Sequence, residues 1–387
     1  MNSRERVLAA LNHREADLIP FDLGGTTVTS ISAVAYERAM QARNIPCGKS
    51  VMHDMIQQIV IPSPENLDLL GVDTVRLGPP RIHDLGKLKQ NGDMTDYLDE
   101  WQIPWQMNKS SDFYFNEVGN APLSSCVDLA DIMKYKFPDP ADYIDWGALK
   151  AKSLAIPADK ALVVDRNCAG LFEMGFRIRN YENFYTDLAA EPETAEYLLD
   201  RILENKIRYW DAILSIAGER ADVVAECDDL GTQQNLIVSP EMYRSLLKPR
   251  QKKLFSFIKS KAPNAKIFFH SCGAITELIP DFIEVGIDIL NPVQTTAAGM
   301  APDRIKREFG RDIVFWGGGV NTQETLPRGT PQQVRDDVKR SVEALSHGGG
   351  YVFATIHNIQ ADVPPENFWA MLEQFQAIRH YKKGKLK

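Results

Sequence analysis

Apolar runs of about five residues, rich in Val, Ile, Leu and Phe, recur along the chain and alternate with longer amphipathic stretches. The short runs read as strands buried on both faces, and the longer stretches as helices with one apolar side. The strands predicted this way are Leu18–Leu23, Asp73–Leu77, Ala161–Asp165, Asp222–Cys227, Lys266–His270, Ile287–Asn291, Asp312–Trp316 and Gly350–Ala354. Helices are predicted over Ser3–His13, Pro192–Ala217, Ser239–Ser260 and Thr330–Leu345. Ser239-Pro240 and Thr330-Pro331 each put a hydroxyl cap before a proline at the first helical position. Eight strand–helix units predict an α/β fold, a single (β/α)8 TIM barrel spanning 1–387.

One stretch breaks the rhythm. Residues 81–131 are rich in Asp, Tyr, Trp and turn formers, and Tyr97–Met107 with Phe113–Val118 predicts an antiparallel excursion after the second strand. Its aromatic residues Trp101, Trp105, Tyr114 and Phe115 have two readings, a roof over a ligand or a homodimer contact.

Composition narrows the function classes. The 387 residues are 44% hydrophobic and 25% charged, as expected of a globular protein with a large core, and the formal net charge is -8. A chain with this balance and no basic stripe is not expected to bind nucleic acid. The basic run 382–387 reads as a solvated terminus. The charged N-terminus shows no signal-peptide pattern, and no stretch approaches the roughly 18 apolar residues of a membrane span. Five dispersed cysteines do not form a disulfide framework, so a reducing, cytoplasmic setting with free thiols is expected.

In a barrel of this class the chemistry sits on loops at the C-terminal ends of the strands. There the chain reads Asp165-Arg166-Asn167-Cys168, Glu226-Cys227-Asp228-Asp229, His270-Ser271-Cys272-Gly273, Asn291-Pro292-Val293-Gln294, Trp316-Gly317-Gly318-Gly319 and His357-Asn358. His270 and Cys272 stand two apart on extended chain, so their side chains face one way, and a mixed nitrogen–sulfur pair suits zinc. A third metal ligand must come from another loop, with His357 and Glu226 as candidates. Cys227, next to Glu226, is expected to point the other way into packing. Asp228 and Asp229 are either loop caps or, crowded together in the mouth, a proton donor near neutral pH; with Glu226 they are the candidate catalytic residues. Gln294, Gly317, Gly318 and Asn321 are the candidate cofactor-binding residues, the glycines permitting close backbone approach to a flat or bulky ligand.

These segments together resemble the uroporphyrinogen decarboxylase-like superfamily and, within it, the zinc-dependent, corrinoid-linked methyltransferases. The resemblance is carried by Asp229-Leu230-Gly231-Thr232-Gln233, Phe269-His270-Ser271-Cys272-Gly273, Gly286–Gln294, Trp316–Gln323 and His357-Asn358-Ile359-Gln360 with Pro364-Pro365-Glu366-Asn367. It implies the barrel, zinc on His270 and Cys272, and methyl transfer between a small methylated ether or thiol and a corrinoid (cobalamin). The corrinoid is expected on a separate protein or as a free ligand. Decarboxylases of the superfamily hold tetrapyrrole carboxylates with arginines in an N-terminal motif. The matching stretch, Phe21–Thr27, contains none, which speaks against that activity. Where those methyltransferases place a third cysteine ligand, this chain has His357. Two other readings follow from the same residues: a metal-free decarboxylase or lyase on a small carboxylated substrate, and a non-catalytic corrinoid- or tetrapyrrole-binding protein.

Overall fold

The computed structural model describes residues 1–79, 88–108, 110 and 113–381. The start of the predicted excursion, 81–87, and the basic run 382–387 lie outside the described residues. Seven parallel strands form one curled sheet: β1 (Thr74–Leu77), β2 (Ala161–Asp165), β3 (Val223–Cys227), β4 (Lys266–His270), β5 (Ile289–Asn291), β6 (Val314–Trp316) and β7 (Tyr351–Val352), paired in sequence order. The eighth position is filled by residues 20–22. The Asp22 amide donates to the Phe353 carbonyl at 2.9 Å, the Phe353 amide to Pro20 at 2.9 Å, and the Asp73 amide to Phe21 at 2.8 Å. The predicted strand Leu18–Leu23 is therefore a short seam with a single parallel bridge, Phe21 to Phe353, which joins the two sheet edges and closes the barrel.

Both faces of the sheet are buried, for different reasons. Val163, Val223, Ala225, Phe268, Ile289, Val314 and Trp316 fill the interior, while Val164, Val224, Ile267, Phe269 and Phe315 meet the helical layer outside. Each large apolar side chain so buried contributes roughly 1.5–3 kcal/mol before the cost of ordering it. Helix Ser3–Leu11 caps the bottom of the barrel, with Val7, Ala10 and Leu11 joining the interior cluster. The long helix Pro192–Ala217 matches its sequence-predicted bounds. The helix predicted over Ser239–Ser260 is three pieces in one, Pro240–Met242, a wider π turn at Tyr243–Leu247, and Lys248–Lys261. No helix among the described residues is long and apolar enough to cross a membrane.

The excursion is a four-stranded antiparallel sheet over the barrel mouth, Lys89–Asn91, Met94–Leu98, Pro104–Asn108 and Asn116–Glu117. The predicted single run Tyr97–Met107 is broken at 99–103. There the Asp99 carboxylate takes the amides of Trp101 and Ile103, both at 2.9 Å, and folds the chain back. A second small sheet, Ile31–Ser32, Val51–Asp54 and Ile59–Ile61, was not legible in the sequence pattern because its strands are only two to four residues long.

Candidate metal centre at the barrel mouth

His270 ends β4, Cys272 lies in the loop just beyond it, and His357 lies in the loop after β7. One donor atom from each comes within 4.8 Å of the others, the one such three-residue cluster of His, Cys, Asp and Glu among the described residues. Cys272 Sγ is 3.4 Å from His270 Nε2, and the two imidazole centroids are 5.4 Å apart. Zinc bonds of about 2.0–2.3 Å need donors roughly 3.5 Å apart, so small side-chain shifts would bring all three onto one ion, leaving a fourth position open.

The surroundings fix which nitrogen of His270 is free. The Asn291 Nδ2 donates to the Trp316 carbonyl at 2.7 Å, which turns the amide oxygen toward His270 Nδ1 at 2.5 Å. That oxygen can only accept, so the imidazole proton sits on Nδ1 and the Nε2 lone pair faces the cluster. Gly317 makes room for this relay. Its φ is +97°, and a Cβ there would stand 2.9 Å from Asn291 Nδ2 and 3.0 Å from the Thr355 carbonyl. Burial holds His270 down at about 4 and, with His270 as neighbour, His357 down at about 3. Both rings are thus neutral at pH 7, the state that binds metal. Burial, Asp229 and Glu173 push the Cys272 thiol well above its ordinary value; a thiolate there calls for a cation beside it. Gly273 lets this loop pack, since a Cβ on it would overlap the Gly231 carbonyl carbon at 2.3 Å.

The two adjacent aspartates part company. Asp229 Oδ1 accepts the Cys272 amide at 2.8 Å and stands 3.6 Å from His270 Nε2, and the residue lines the cavity beside the cluster. Burial and the nearby Glu173 push its carboxyl up to about 7. Asp228 points away. It accepts the Phe172 and Glu173 amides at 2.9 and 3.0 Å and so caps helix Leu171–Arg179, and Gly170 is glycine because a Cβ would collide with that carboxylate. Of the two readings for Asp228, the structure gives the cap.

Glu226 is corrected as a site candidate. In β3 it is Val223, Ala225 and Cys227 that face the barrel interior, so Glu226 faces the helices, 1% exposed. Its oxygens take Lys206 Nζ at 2.8 Å and Trp210 Nε1 at 2.6 Å, far from a free ligand position. Cys227 points opposite to Glu226 and is 3% exposed, as expected of packing, and its thiol also donates to Glu173 Oε2 at 3.4 Å.

The four candidate cofactor residues serve the scaffold. A Cβ on Gly318 would meet Val293 Cβ at 2.7 Å, so the close approach that the glycines permit is to the protein's own backbone. Gln294 Oε1 accepts the Gly273 amide at 2.8 Å, steadying the loop that carries Cys272. Asn321 Oδ1 accepts the amides of Gln323 and Glu324 at 2.8 and 3.2 Å, a local turn. None of the four lines the cavity.

That cavity, about 230 Å³, lies between the donor cluster and the antiparallel roof. Trp105, Tyr114 and Phe115 of the excursion close it from above, Val28 and Ile56 from one side. Trp101 instead packs at 1% exposure away from it, edge-on to Phe137. Three charged side chains complete the wall: Arg166, placed at the mouth by the sequence but given no role there, and Glu173 and Arg177, which the sequence reading did not single out. Glu173 and Arg177 sit one helical turn apart, a spacing that signals an ion pair but not where it faces. Arg177 lies 3.2 Å from Glu117 and 3.5 Å from Glu173, with its guanidinium over the Trp105 ring, and so ties roof to barrel. Burial opposes the charge on Glu173, yet Arg177 and Arg166 hold it down at about 2.

Comparison with known proteins agrees with the fold. A methyltransferase from Methanosarcina mazei superposes with a TM-score of 0.66 at 19% identity, covering 97% of this chain and 99% of that one. Two curated relatives are a uroporphyrinogen decarboxylase of Psychromonas ingrahamii, 27% identical over 46% of each chain, and one of Pseudoalteromonas translucida, 27% identical over 49% of this chain and 51% of that protein. The match thus spans about half the length of these relatives. Residues 125–378, well over half of the chain, match the family model described as uroporphyrinogen decarboxylase (URO-D), and the chain belongs to that family.

Proposed function

We propose that this protein is a zinc-dependent methyltransferase that moves a methyl group between a small methylated ether or thiol and a corrinoid carried by a partner protein or free in solution. The observation that carries this reading is the meeting of His270, Cys272 and His357 from two loops at one end of the barrel, with His270 Nε2 left unprotonated by the Asn291 relay. These three residues would hold the ion. When bound, zinc supplies a Lewis acid that lowers the pKa of a thiol or polarises an ether at its open position.

The protein's own residues do the rest. Asp229 Oδ1 is occupied by the Cys272 amide, so a proton held near pH 7 resides on Oδ2. From there it can pass to an oxygen leaving group or be taken from a thiol. Trp105, Tyr114 and Phe115 give the small cavity an aromatic wall against which an apolar part of a substrate can pack. The decarboxylase reading draws on the names of the curated relatives, but the N-terminal stretch Phe21–Thr27 holds no arginine to grip carboxylates, and its one charged residue, Asp22, is spent internally. It accepts from the Gly25 amide at 2.9 Å, Thr74 Oγ1 at 2.6 Å and Trp316 Nε1 at 2.8 Å.

The test is metal analysis of untagged protein joined to corrinoid spectroscopy with methyl ethers and methyl thiols. About one zinc per chain is expected, and Cys272→Ala should lose both the metal and at least ~10³-fold in methyl transfer. Zinc-free protein with full activity would sink the reading and favour the metal-free lyase.

A further inference from the structure

Arg166 follows the last residue of β2 and is 5% exposed, and it lines the cavity that His270, His357 and Asp229 also line. Its Nε and Nη1 have no hydrogen-bond partner. A buried guanidinium normally spends its donors on a carboxylate or on carbonyls, because unpaired charge is costly away from water. The neighbouring carboxylates are committed elsewhere. Asp165 Oδ2 takes the Thr27 amide and hydroxyl and Arg76 Nε at 2.6 to 2.9 Å, Oδ1 takes the Arg166 backbone amide at 3.0 Å, and Oδ1 comes no closer than 3.5 Å to Arg166 Nη1. Glu173 takes the Gly170 amide and the Cys227 thiol on Oε2 and faces Arg177 with Oε1. Arg76, the other buried guanidinium nearby, is fully engaged by Asp165 and the carbonyls of Gly78 and Pro79.

The cavity therefore holds a buried cation whose hydrogen-bonding capacity the protein does not spend, set against an aromatic roof. Nη2 shares one edge of the guanidinium with Nε and the other with Nη1, and either edge matches a carboxylate bidentately. We propose that Arg166 binds a carboxylate on the small substrate, whose apolar part lies under Trp105 and Phe115 and whose reacting end points to the His270–Cys272–His357 cluster. The substrate class is thus a compact monocarboxylate rather than a neutral ether or thiol. This rests on the methyltransferase reading for what happens to the substrate, but not for its binding.

Binding of charged and neutral pairs of one shape tests it: benzoate against benzamide, and propionate against propionamide, by calorimetry on the full protein as purified and after chelation. The acids are expected to bind at least tenfold more tightly than their amides. Arg166→Gln should bring that ratio to within about twofold of one, and Arg166→Lys should restore part of it, with circular dichroism unchanged. No preference for either acid, or a preference that survives in Arg166→Gln, overturns the proposal. So does a preference that survives in Arg166→Gln only until the metal is removed, because the carboxylate then sits on the ion. A zinc-free protein that still prefers acids through Arg166 would sink the methyltransferase reading and leave this one standing.

Discussion

Two corners of the barrel mouth carry the most unusual sequence and end in opposite roles. The end of β4 and the loop beyond it hold His270 and Cys272 with donor atoms gathered beside His357, and His270 lines the cavity. The loop after β6, with its run of three glycines and Asn321, is spent on internal contacts: Gly317 clears Asn291, Gly318 clears Val293, and Asn321 closes its own turn. The first corner has valence left over and the second has none. Candidate chemistry is told from scaffold by that remainder, since glycine runs and polar side chains satisfy one another as readily as they satisfy a ligand.

Acid should expose the difference most strongly. Burial depresses His270 to about 4 and His357 to about 3. As pH falls below 6.5 the unfolded chain takes up protons that the native chain refuses. The share of stability that the two rings contribute is then fully present above about 6.5 and is lost as pH falls toward 4, by about 5 kcal/mol together, against an opposite contribution from Asp229, whose raised carboxyl takes up its proton first in the native state. Urea titrations of chelated protein between pH 8 and 4, wild type against His357→Asn, check this, and the variant should lose close to half of the histidine share. Profiles of equal slope in wild type and His357→Asn would mean that the His357 ring is not held neutral.

Gly317→Ala asks whether the second corner is truly separate. A Cβ at φ +97° against the Asn291 amide should cost about 2–4 kcal/mol in thermal or urea melts. Because it disturbs the relay to His270, zinc affinity should also fall about 10- to 100-fold, and Asn291→Ala should reproduce the affinity loss with a smaller stability cost. Normal zinc affinity in both variants would uncouple the corners. The smallest effect is expected at Asn321→Ala: about 1 kcal/mol for the lost turn, with zinc content and methyl transfer unchanged. A large loss of activity there would return Asn321 to the site.

How far the sequence alone could reach follows from the same physics. His270, Cys272 and His357 were legible because strand ends in a barrel converge and a two-residue spacing fixes a common direction. The phase of β3 was not. Val223–Cys227 is buried on both faces, so its apolar pattern does not tell inside from outside, and Glu226 was assigned to the mouth when it faces Lys206. Asp228 and Asp229 differ only in which way a loop residue turns, which depends on the helix start at Leu171, 57 residues upstream. Arg166 stood in plain view after a predicted strand. Its importance lies in donors that nothing satisfies, and no linear pattern records an absence. The seam at 20–22 was found as a strand because its apolar residues are real, though the ladder it makes is only a bridge long.

The closed barrel has a further consequence for how the molecule behaves when concentrated. Residues 20–22 pair with both edges of the sheet, so among the described residues each edge of the largest sheet is covered by this seam. The open sheet of the roof is bordered by Lys89–Asn91 and Asn116–Glu117, short, polar and exposed along their whole length. Edge-to-edge growth into aggregates thus finds a charged, two- or three-residue strand at either border. The aromatic residues that the roof needs over the cavity are confined to its inner face, where they cannot seed such growth.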